Sequence, residues 1–113
     1  DLTEPKELAQ LGSIDLWHDR AVLHFFQDRT SQDAYFKLMH KLVKPGGFVI
    51  IATFNLNGAS TCSGLPVYRY NAPMLKEKAG DAFQMLEAFD YTYTQPSGHT
   101  REYVYTMFQR IMP

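Results

Sequence analysis

The chain has 113 residues, of which 45% are hydrophobic and 20% are charged, and this composition indicates one globular domain over residues 1–113. Eleven basic and twelve acidic residues give a net charge of −1, which argues against the basic surface that nonspecific nucleic-acid binding needs. The single cysteine, Cys62, excludes an internal disulfide and is typical of a reducing compartment.

The sequence shows neither a membrane segment nor a secretion signal. No apolar run approaches the roughly 20 residues of a membrane-spanning helix. Residues 1–7 have neither the basic start nor the apolar segment of a signal peptide. We therefore expect a cytoplasmic protein without membrane or nucleic-acid partners.

The first predicted elements in chain order are a short helix, a short strand and one or two helical turns. Residues 1–12 are polar, with Leu8 and Leu11 three positions apart and Gly12 at the end of the helix. Residues 13–17 are expected to form the strand. The apolar residues within 21–26 have the near-helical spacing that predicts the turns.

The next helix has the clearest local signals. Thr30 and Asp33 match a capping box, in which each side chain satisfies a backbone amide at the start of a helix. Pro45 and the glycine pair after it are expected to end the helix. Four apolar residues fall on one face at spacings of three and four, namely Tyr35, Leu38, Met39 and Leu42.

Residues 48–54 are apolar without alternation, which predicts a strand buried on both faces. The predicted strand before the helix and this strand after it form a β-α-β unit with a right-handed crossover. A polar segment over 55–73 follows, and then a short helix over 74–79 that ends at Gly80.

The end of the chain predicts an antiparallel hairpin. Residues 83–94 and 103–112 are rich in aromatic and β-branched side chains, and residues 95–99 between them have strong turn chemistry. The predicted fold is therefore α/β, with a mixed Rossmann-like sheet of about four strands, a C-terminal hairpin and flanking helices.

The densest polar chemistry lies where the first strand meets the following turn. Five side chains there are candidates for contact with a ligand: Asp15, Trp17, His18, Asp19 and Arg20. In an open α/β sheet, ligands bind beyond the carboxyl ends of parallel strands. Two interpretations stay open. In one the cluster is a ligand surface, and in the other it is structural, with Arg20 paired to Asp15 or Asp19 and Trp17 in the core.

Three motifs occur in a fixed order: DLWHDRA at 15–21, KPGG at 44–47 and IATF at 51–54. Together they resemble the second half of a class I S-adenosylmethionine-dependent methyltransferase, and residues 62–70 resemble one subgroup of that family. The resemblance covers essentially the whole chain. It implies the fourth strand, a helix, the fifth strand, a helix and the closing hairpin of the methyltransferase sheet.

The resemblance also implies roles for individual residues. Asp15 would lie at the end of the strand that reaches the methyl donor. Trp17, His18, Asp19 and Arg20 would then lie near the transfer site. The acid that meets the adenine amino group in this family would correspond to Asp1.

The sequence departs from the family in its glycines. None of its seven glycines forms the Gly-x-Gly turn that binds the cofactor in the first half of the family's fold. Gly46 and Gly47 precede a strand, whereas the amides of a nucleotide loop open a helix. S-adenosylmethionine is therefore implied as the family's cofactor but is not assigned to this chain alone, and we expect the isolated chain to be inactive.

Half of such a sheet would leave the strand at 14–17 on an edge, with unpaired backbone groups that invite another chain. We expect this edge to be covered in a homodimer, since two-fold dimers are the commonest closed assemblies, or by a missing N-terminal half. The alternative function is a free-standing oligomeric module that binds a small ligand or a partner.

The remaining reactive side chains have structural interpretations. The four histidines show no metal-ligand spacing, so no metal site is predicted. His24 is expected to be a core histidine bonded to the backbone, and His40 to lie on a solvated helix face. Cys62 and His99 are a minor alternative as a nucleophilic pair. Five aromatic residues could stack nucleic-acid bases, but the net charge of −1 favours sheet core or an interface: Tyr91, Tyr93, Tyr103, Tyr105 and Phe108.

Overall fold

The computed structural model describes residues 14–113, so the helix predicted over 1–12 and the site residue Asp1 lie outside the described residues. The described part contains strands β1 (Ile14–Arg20), β2 (Val43–Phe54), β3 (Thr61–Cys62), β4 (Leu65–Pro66), β5 (Phe83–Thr94) and β6 (Thr100–Arg110), and the helices α1 (Arg29–Leu42) and α2 (Ala72–Ala79). A single 3-10 turn, Leu23–Phe25, lies between β1 and α1, where one or two helical turns were expected.

Four strands form one mixed sheet in the order β1-β2-β6-β5. Strands β1 and β2 are parallel, and β6 is antiparallel to both of its neighbours, β2 and β5. The β-α-β unit and the C-terminal hairpin predicted from the sequence are therefore confirmed. The short strands β3 and β4 form a separate two-stranded ladder within the connection between β2 and α2.

Helix α1 begins two residues before the predicted capping box. The carboxylate of Asp28 accepts a 3.1 Å hydrogen bond from the amide of Ser31, so Asp28 is the N-cap. Thr30 already lies in the first turn, and the carboxylate of Asp33 pairs with Lys78 at 3.0 Å. The capping box predicted at Thr30 and Asp33 is therefore wrong, because an earlier aspartate already satisfies the amide.

Helix α1 passes into β2 without a connecting loop. Val43 is extended (φ −75°, ψ 120°), caps the helix and is the first residue of the strand. The sequence Pro45-Gly46-Gly47, which was expected to end the helix, instead lies in an irregular part of β2 between the register pairs Ile14↔Val43 and Leu16↔Phe48. A Cβ atom on Gly47 would lie 2.9 Å from the carbonyl oxygen of Lys44, so glycine is required there for close packing.

Both helices pack on one face of the sheet and form the main core with it. Its fully buried members include Leu23, Met39, Val43, Val49, Ile51, Tyr70, Leu75 and Phe108. The C-terminus of α1 is held to the sheet by Arg110 of β6. The guanidinium of Arg110 donates to the carbonyl oxygens of His40 (2.6 Å), in the last turn of α1, and of Val43 (2.5 Å), which caps the helix.

Among residues 14–113, the opposite face of the sheet is covered only near the carboxyl end of β2. There Ala52 and Phe54 form a second buried cluster with Val67 and Tyr103. The prediction that 48–54 is buried on both faces is right for 51–54 and wrong for Phe48, which is 38% exposed. No described helix covers the far end of this face. No helix within residues 14–113 is long and apolar enough to cross a membrane.

Candidate ligand site at the end of the first strand

The polar cluster lies on the first strand and does not follow it. Strand β1 continues to Arg20 instead of ending at residue 17, so Asp15 lies near its start and Arg20 at its carboxyl end. Side chains on a strand alternate between its two faces. The buried residues Trp17 and Asp19 face the helices, and His18 and Arg20 lie on the opposite face. The five candidates are therefore not one site.

The buried half of the cluster is a hydrogen-bond network. The Asp19 carboxylate, 1% exposed, accepts bonds of 2.9 Å from the amides of Val22 and Leu23. It also accepts a 2.6 Å bond from the hydroxyl of Tyr35 in α1. The Tyr35 oxygen in turn accepts a 3.0 Å bond from Nε1 of Trp17. Three donors occupy the Asp19 carboxylate, so its role here is to shape the turn after β1 and join it to α1.

Burial governs the proton affinity of both partners in this network. It raises the pKa of Asp19, and the hydrogen bonds from Tyr35 and from the two backbone amides oppose part of that rise. Burial also raises the pKa of Tyr35, and the neighbouring Asp19 charge adds to the effect. Tyr35 therefore stays a neutral donor.

The exposed half of the cluster is centred on Arg20. Its guanidinium carbon lies 5.2 Å from the ring centroid of Tyr93 and 5.3 Å from that of Tyr103, within cation–π distance of both rings. Burial raises the pKa of Tyr103, and the Arg20 charge opposes part of the rise. The structural interpretation that paired Arg20 with Asp15 or Asp19 is wrong, since Asp15 forms an ion pair with Lys44 instead.

Sequence reasoning did not connect Arg20 with the two tyrosines. Tyr93 and Tyr103 were expected to be sheet core or interface residues, and the register pairs in the sheet decide which face they share with Arg20. The only signal in the sequence was the aromatic density of the hairpin. That density predicts strands, but it does not show that their tyrosines reach a residue of β1.

The remaining histidines are structural, as predicted. Nδ1 of His24 accepts a 3.3 Å hydrogen bond from the amide of Phe54, and the ring packs against Phe25 and Phe54. Burial lowers the pKa of His24 to about 4. His40 is exposed on α1, where its ring meets the edge of Phe83 at 5.8 Å.

Nothing in the described structure supports a nucleophilic pair or a metal site. Cys62 packs against the second buried cluster, whereas His99 bonds to Ser97 within the hairpin turn. Within residues 14–113, no group of three or more His, Cys, Asp or Glu side chains is placed to hold a metal ion.

No protein-family model matches the sequence, and no curated protein matches it. Solved structures do match. An S-adenosylmethionine-dependent methyltransferase from Methanosarcina mazei is 14% identical, with a TM-score of 0.72, over 90% of this chain and 61% of its own. A structure from work on the conversion of a disulfide bond into a thioacetal group during echinomycin biosynthesis has a TM-score of 0.71 at 13% identity, over 96% and 54% of the two chains.

A third match is the 1,6-didemethyltoxoflavin-N1-methyltransferase of Burkholderia thailandensis, whose structure contains 1,6-didemethyltoxoflavin and S-adenosylhomocysteine. It is 20% identical, with a TM-score of 0.63, over 86% of this chain and 44% of its own. The chain has part of the methyltransferase fold. The predicted α/β fold class is thereby confirmed, and the chain spans between 44% and 61% of the length of these methyltransferase-like structures.

Proposed function

We propose that residues 1–113 are the C-terminal half of an S-adenosylmethionine-dependent methyltransferase domain, whose cofactor loop is supplied by another segment or chain. The strand order β1-β2-β6-β5 carries the proposal, because it puts the polar carboxyl end of β1 beside a parallel strand in a chain that spans about half of its structural relatives. Ligands of open α/β sheets bind at such strand ends.

The described residues do not by themselves fit S-adenosylmethionine. In related nucleotide-binding sheets, a carboxylate binds the ribose hydroxyls and a glycine-rich turn at a helix N-terminus contacts the ligand. Asp19 is occupied by three donors and Asp15 by Lys44, and the sequence has no Gly-x-Gly turn. We therefore propose that the 113 residues alone do not catalyse methyl transfer.

An NMR titration of the isolated chain with S-adenosylhomocysteine tests this function. We expect weak binding, with a dissociation constant of about 1 mM or higher, because only one side of the cofactor site is present. The backbone shifts should be confined to His18–Arg20, and the far end of α1 around Lys41 should serve as the internal reference. Cytidine is the control ligand and should leave His18–Arg20 unchanged.

Two results of this titration would contradict the proposal. Binding at about 1 μM or tighter would show that the chain holds the cofactor without a second half, against the proposed inactivity. If S-adenosylhomocysteine at about 10 mM, ten times the expected dissociation constant, causes no shifts at His18–Arg20, the end of β1 is not part of the cofactor site.

A second candidate is an oligomeric module, and the open sheet face favours it. Within residues 14–113, β1 pairs only with β2, so one side of β1 is an edge. On the uncovered face, Leu16 (52% exposed) lies beside its register partner Phe48 (38% exposed). An edge strand with apolar neighbours is a template for pairing with another chain. We propose that a second copy or the N-terminal half covers this edge.

Sedimentation velocity distinguishes a dimer, in which this edge is paired, from a monomer, in which it is free. We expect the chain to form a dimer at about 50 μM and the Leu16→Lys variant to be a monomer, because a charge on an edge strand blocks pairing. Leu65→Lys is the matched control, since Leu65 is 57% exposed in β4, away from the edge. A monomeric parent chain would contradict self-association, and a dimer disrupted equally by both substitutions would contradict pairing through β1.

A further inference from the structure

Arg20 is a cation without an ionic partner in the described structure. No described carboxylate lies within ion-pair distance of it, although Lys44, Lys78 and Arg29 each have one. The rings of Tyr93 and Tyr103, at 5.2 and 5.3 Å, hold the guanidinium in place. A guanidinium stacked on rings still has N–H groups along its edge, and that edge matches a carboxylate or a phosphate.

Beside Arg20, the same face carries three aromatic side chains that we call the aromatic ledge: Phe89, Tyr91 and Tyr105. The rings of Phe89 and Tyr105 are parallel within 2° at 5.4 Å, and the edge of Tyr91 meets Tyr105 at 5.8 Å. Phe89 is 48% exposed and Tyr91 is 46% exposed. Exposed aromatic surface of this kind is typical of binding surfaces.

The ledge adjoins Arg20 through Tyr103. The ring centroids of Tyr103 and Tyr105 are 6.0 Å apart, and Tyr103 is also one of the two rings that hold Arg20. A second arginine, Arg101, pairs in register with Tyr93 and has no described ion pair either. The only described carboxylate that the register places on this face is Glu87, opposite Met107 and two positions along β6 from Tyr105. The corner around Arg20 is therefore cationic and aromatic.

We propose that Arg20 and the aromatic ledge bind a planar aromatic molecule that carries a carboxylate or phosphate group. The ring stacks on Phe89 and Tyr105, and the anionic group accepts hydrogen bonds from the edge of the Arg20 guanidinium. The assignment of this molecule as the methyl acceptor rests on the proposed function, because Arg20 ends the strand beside which the acceptor would lie. The binding itself does not depend on the cofactor.

Binding of three naphthalene probes to the 113-residue chain tests this inference by NMR titration: 2-naphthoate, 2-naphthyl phosphate and the neutral 2-naphthamide. We expect the better of the two anions to bind at least about tenfold more tightly than the amide, the difference of a charge-assisted hydrogen bond. Arg20→Gln should remove this tenfold preference. Arg20→Lys should retain part of it, because the charge remains but the planar fork is lost. The preferred anion identifies whether the natural ligand is a carboxylate or a phosphate.

Arg29→Gln is the control, since the Arg29 side chain is 88% exposed on α1 and should leave every affinity unchanged. Phe89→Ala should weaken all three probes alike, which separates the ledge from the anion site. Equal affinity of the parent chain for the anions and the amide would overturn the proposal, as would an anion preference that survives Arg20→Gln. The S-adenosylhomocysteine titration is independent: naphthoate binding without shifts from that ligand would refute the proposed function and leave this inference standing.

Discussion

The hydroxyl of Tyr35 in α1 donates a 2.6 Å hydrogen bond to the carboxylate of Asp19 at the end of β1. The same oxygen accepts a bond from the indole of Trp17, whose ring it meets edge-on at 5.3 Å. One phenol thus joins the helix to two positions of the strand. Because the Asp19 carboxylate also accepts the amides of Val22 and Leu23, this contact ties the turn after β1 to the helix.

We expect Tyr35→Phe to lower the free energy of unfolding by about 1–3 kcal/mol, because it leaves the buried indole N–H of Trp17 without an acceptor and Asp19 with one donor fewer. Urea denaturation at neutral pH measures the change. Tyr91→Phe is the matched control, since Tyr91 is 46% exposed and should cost less than about 0.5 kcal/mol. Equal losses in the two variants would contradict a special role for the Tyr35 hydroxyl.

The buried ring of His24 makes stability depend on pH. Its pKa is about 4 in the folded chain, whereas the usual pKa of a histidine side chain is 6.5. Between these values the unfolded chain binds more protons, so the stabilisation is full above pH 6.5 and is lost as the pH falls toward 4. The total loss is about 3 kcal/mol. The pKa of Asp19 is raised in the folded chain, so above pH 3.8 this carboxyl group lowers the stability as the pH rises.

Two measurements check the histidine prediction. The imidazole signals of His24 in the parent chain should titrate near pH 4, and a midpoint near pH 6.5 would contradict the prediction. The difference in unfolding free energy between the parent chain and His24→Gln should shrink between pH 7 and pH 4.5. Thr94→Ala, at the exposed end of β5, removes no titratable group and should show no such trend.

We expect Arg110→Met to destabilise the chain by about 1–3 kcal/mol, because the carbonyl oxygens of His40 and Val43 lose a buried donor at the end of α1. Hydrogen exchange should localise the loss to the last turn of α1 and the start of β2. Arg29→Met, on the exposed side of the same helix, should stay within about 0.5 kcal/mol of the parent chain. If exchange instead increases evenly along the chain, Arg110 does not act as a local cap.

Gly47→Ala should cost about 1–3 kcal/mol, because the added Cβ would lie 2.9 Å from the carbonyl oxygen of Lys44 and 3.0 Å from that of Asp15. Gly46→Ala should cost about 1 kcal/mol, since its Cβ meets nothing within 4 Å and only its φ of +85° is unfavourable. Thermal unfolding of the two variants compares them. A larger loss for Gly46→Ala than for Gly47→Ala would contradict the prediction and show that β1 and β2 move apart easily at Gly47.

The fold was predictable because its strongest signals are local or repeat along the chain. The apolar spacing around Met39 and the turn residues of 95–99 specify a helix and a hairpin whatever surrounds them. The N-cap predicted at Thr30 is wrong. Thr30 and Asp33 match the pattern of a capping box, but the carboxylate of Asp28, two residues earlier, accepts the amide of Ser31 and caps the helix alone. The prediction that the helix ends at Pro45 is wrong, because α1 ends three residues earlier, where Arg110 binds the carbonyl oxygen of Val43.

The site was less predictable, because its residues meet through the sheet register. The density of polar residues in 15–20 was visible in the sequence, but the division between Asp19 and Arg20 follows from how far β1 extends. A strand that ended at residue 17 would have left His18, Asp19 and Arg20 together in one loop. The contact of Arg20 with Tyr103 depends on pairings across two ladders, β1 with β2 and β2 with β6.

Because Leu42 is the last residue of α1 and Val43 the first of β2, no connecting residue separates the helix from the strand. A rotation of α1 about its axis would therefore turn the start of the strand with it. Inserting one residue between Leu42 and Val43 would move the buried Val43 side chain or the carbonyl group that Arg110 binds, so this junction should tolerate a change in length less well than the long connection between β2 and α2.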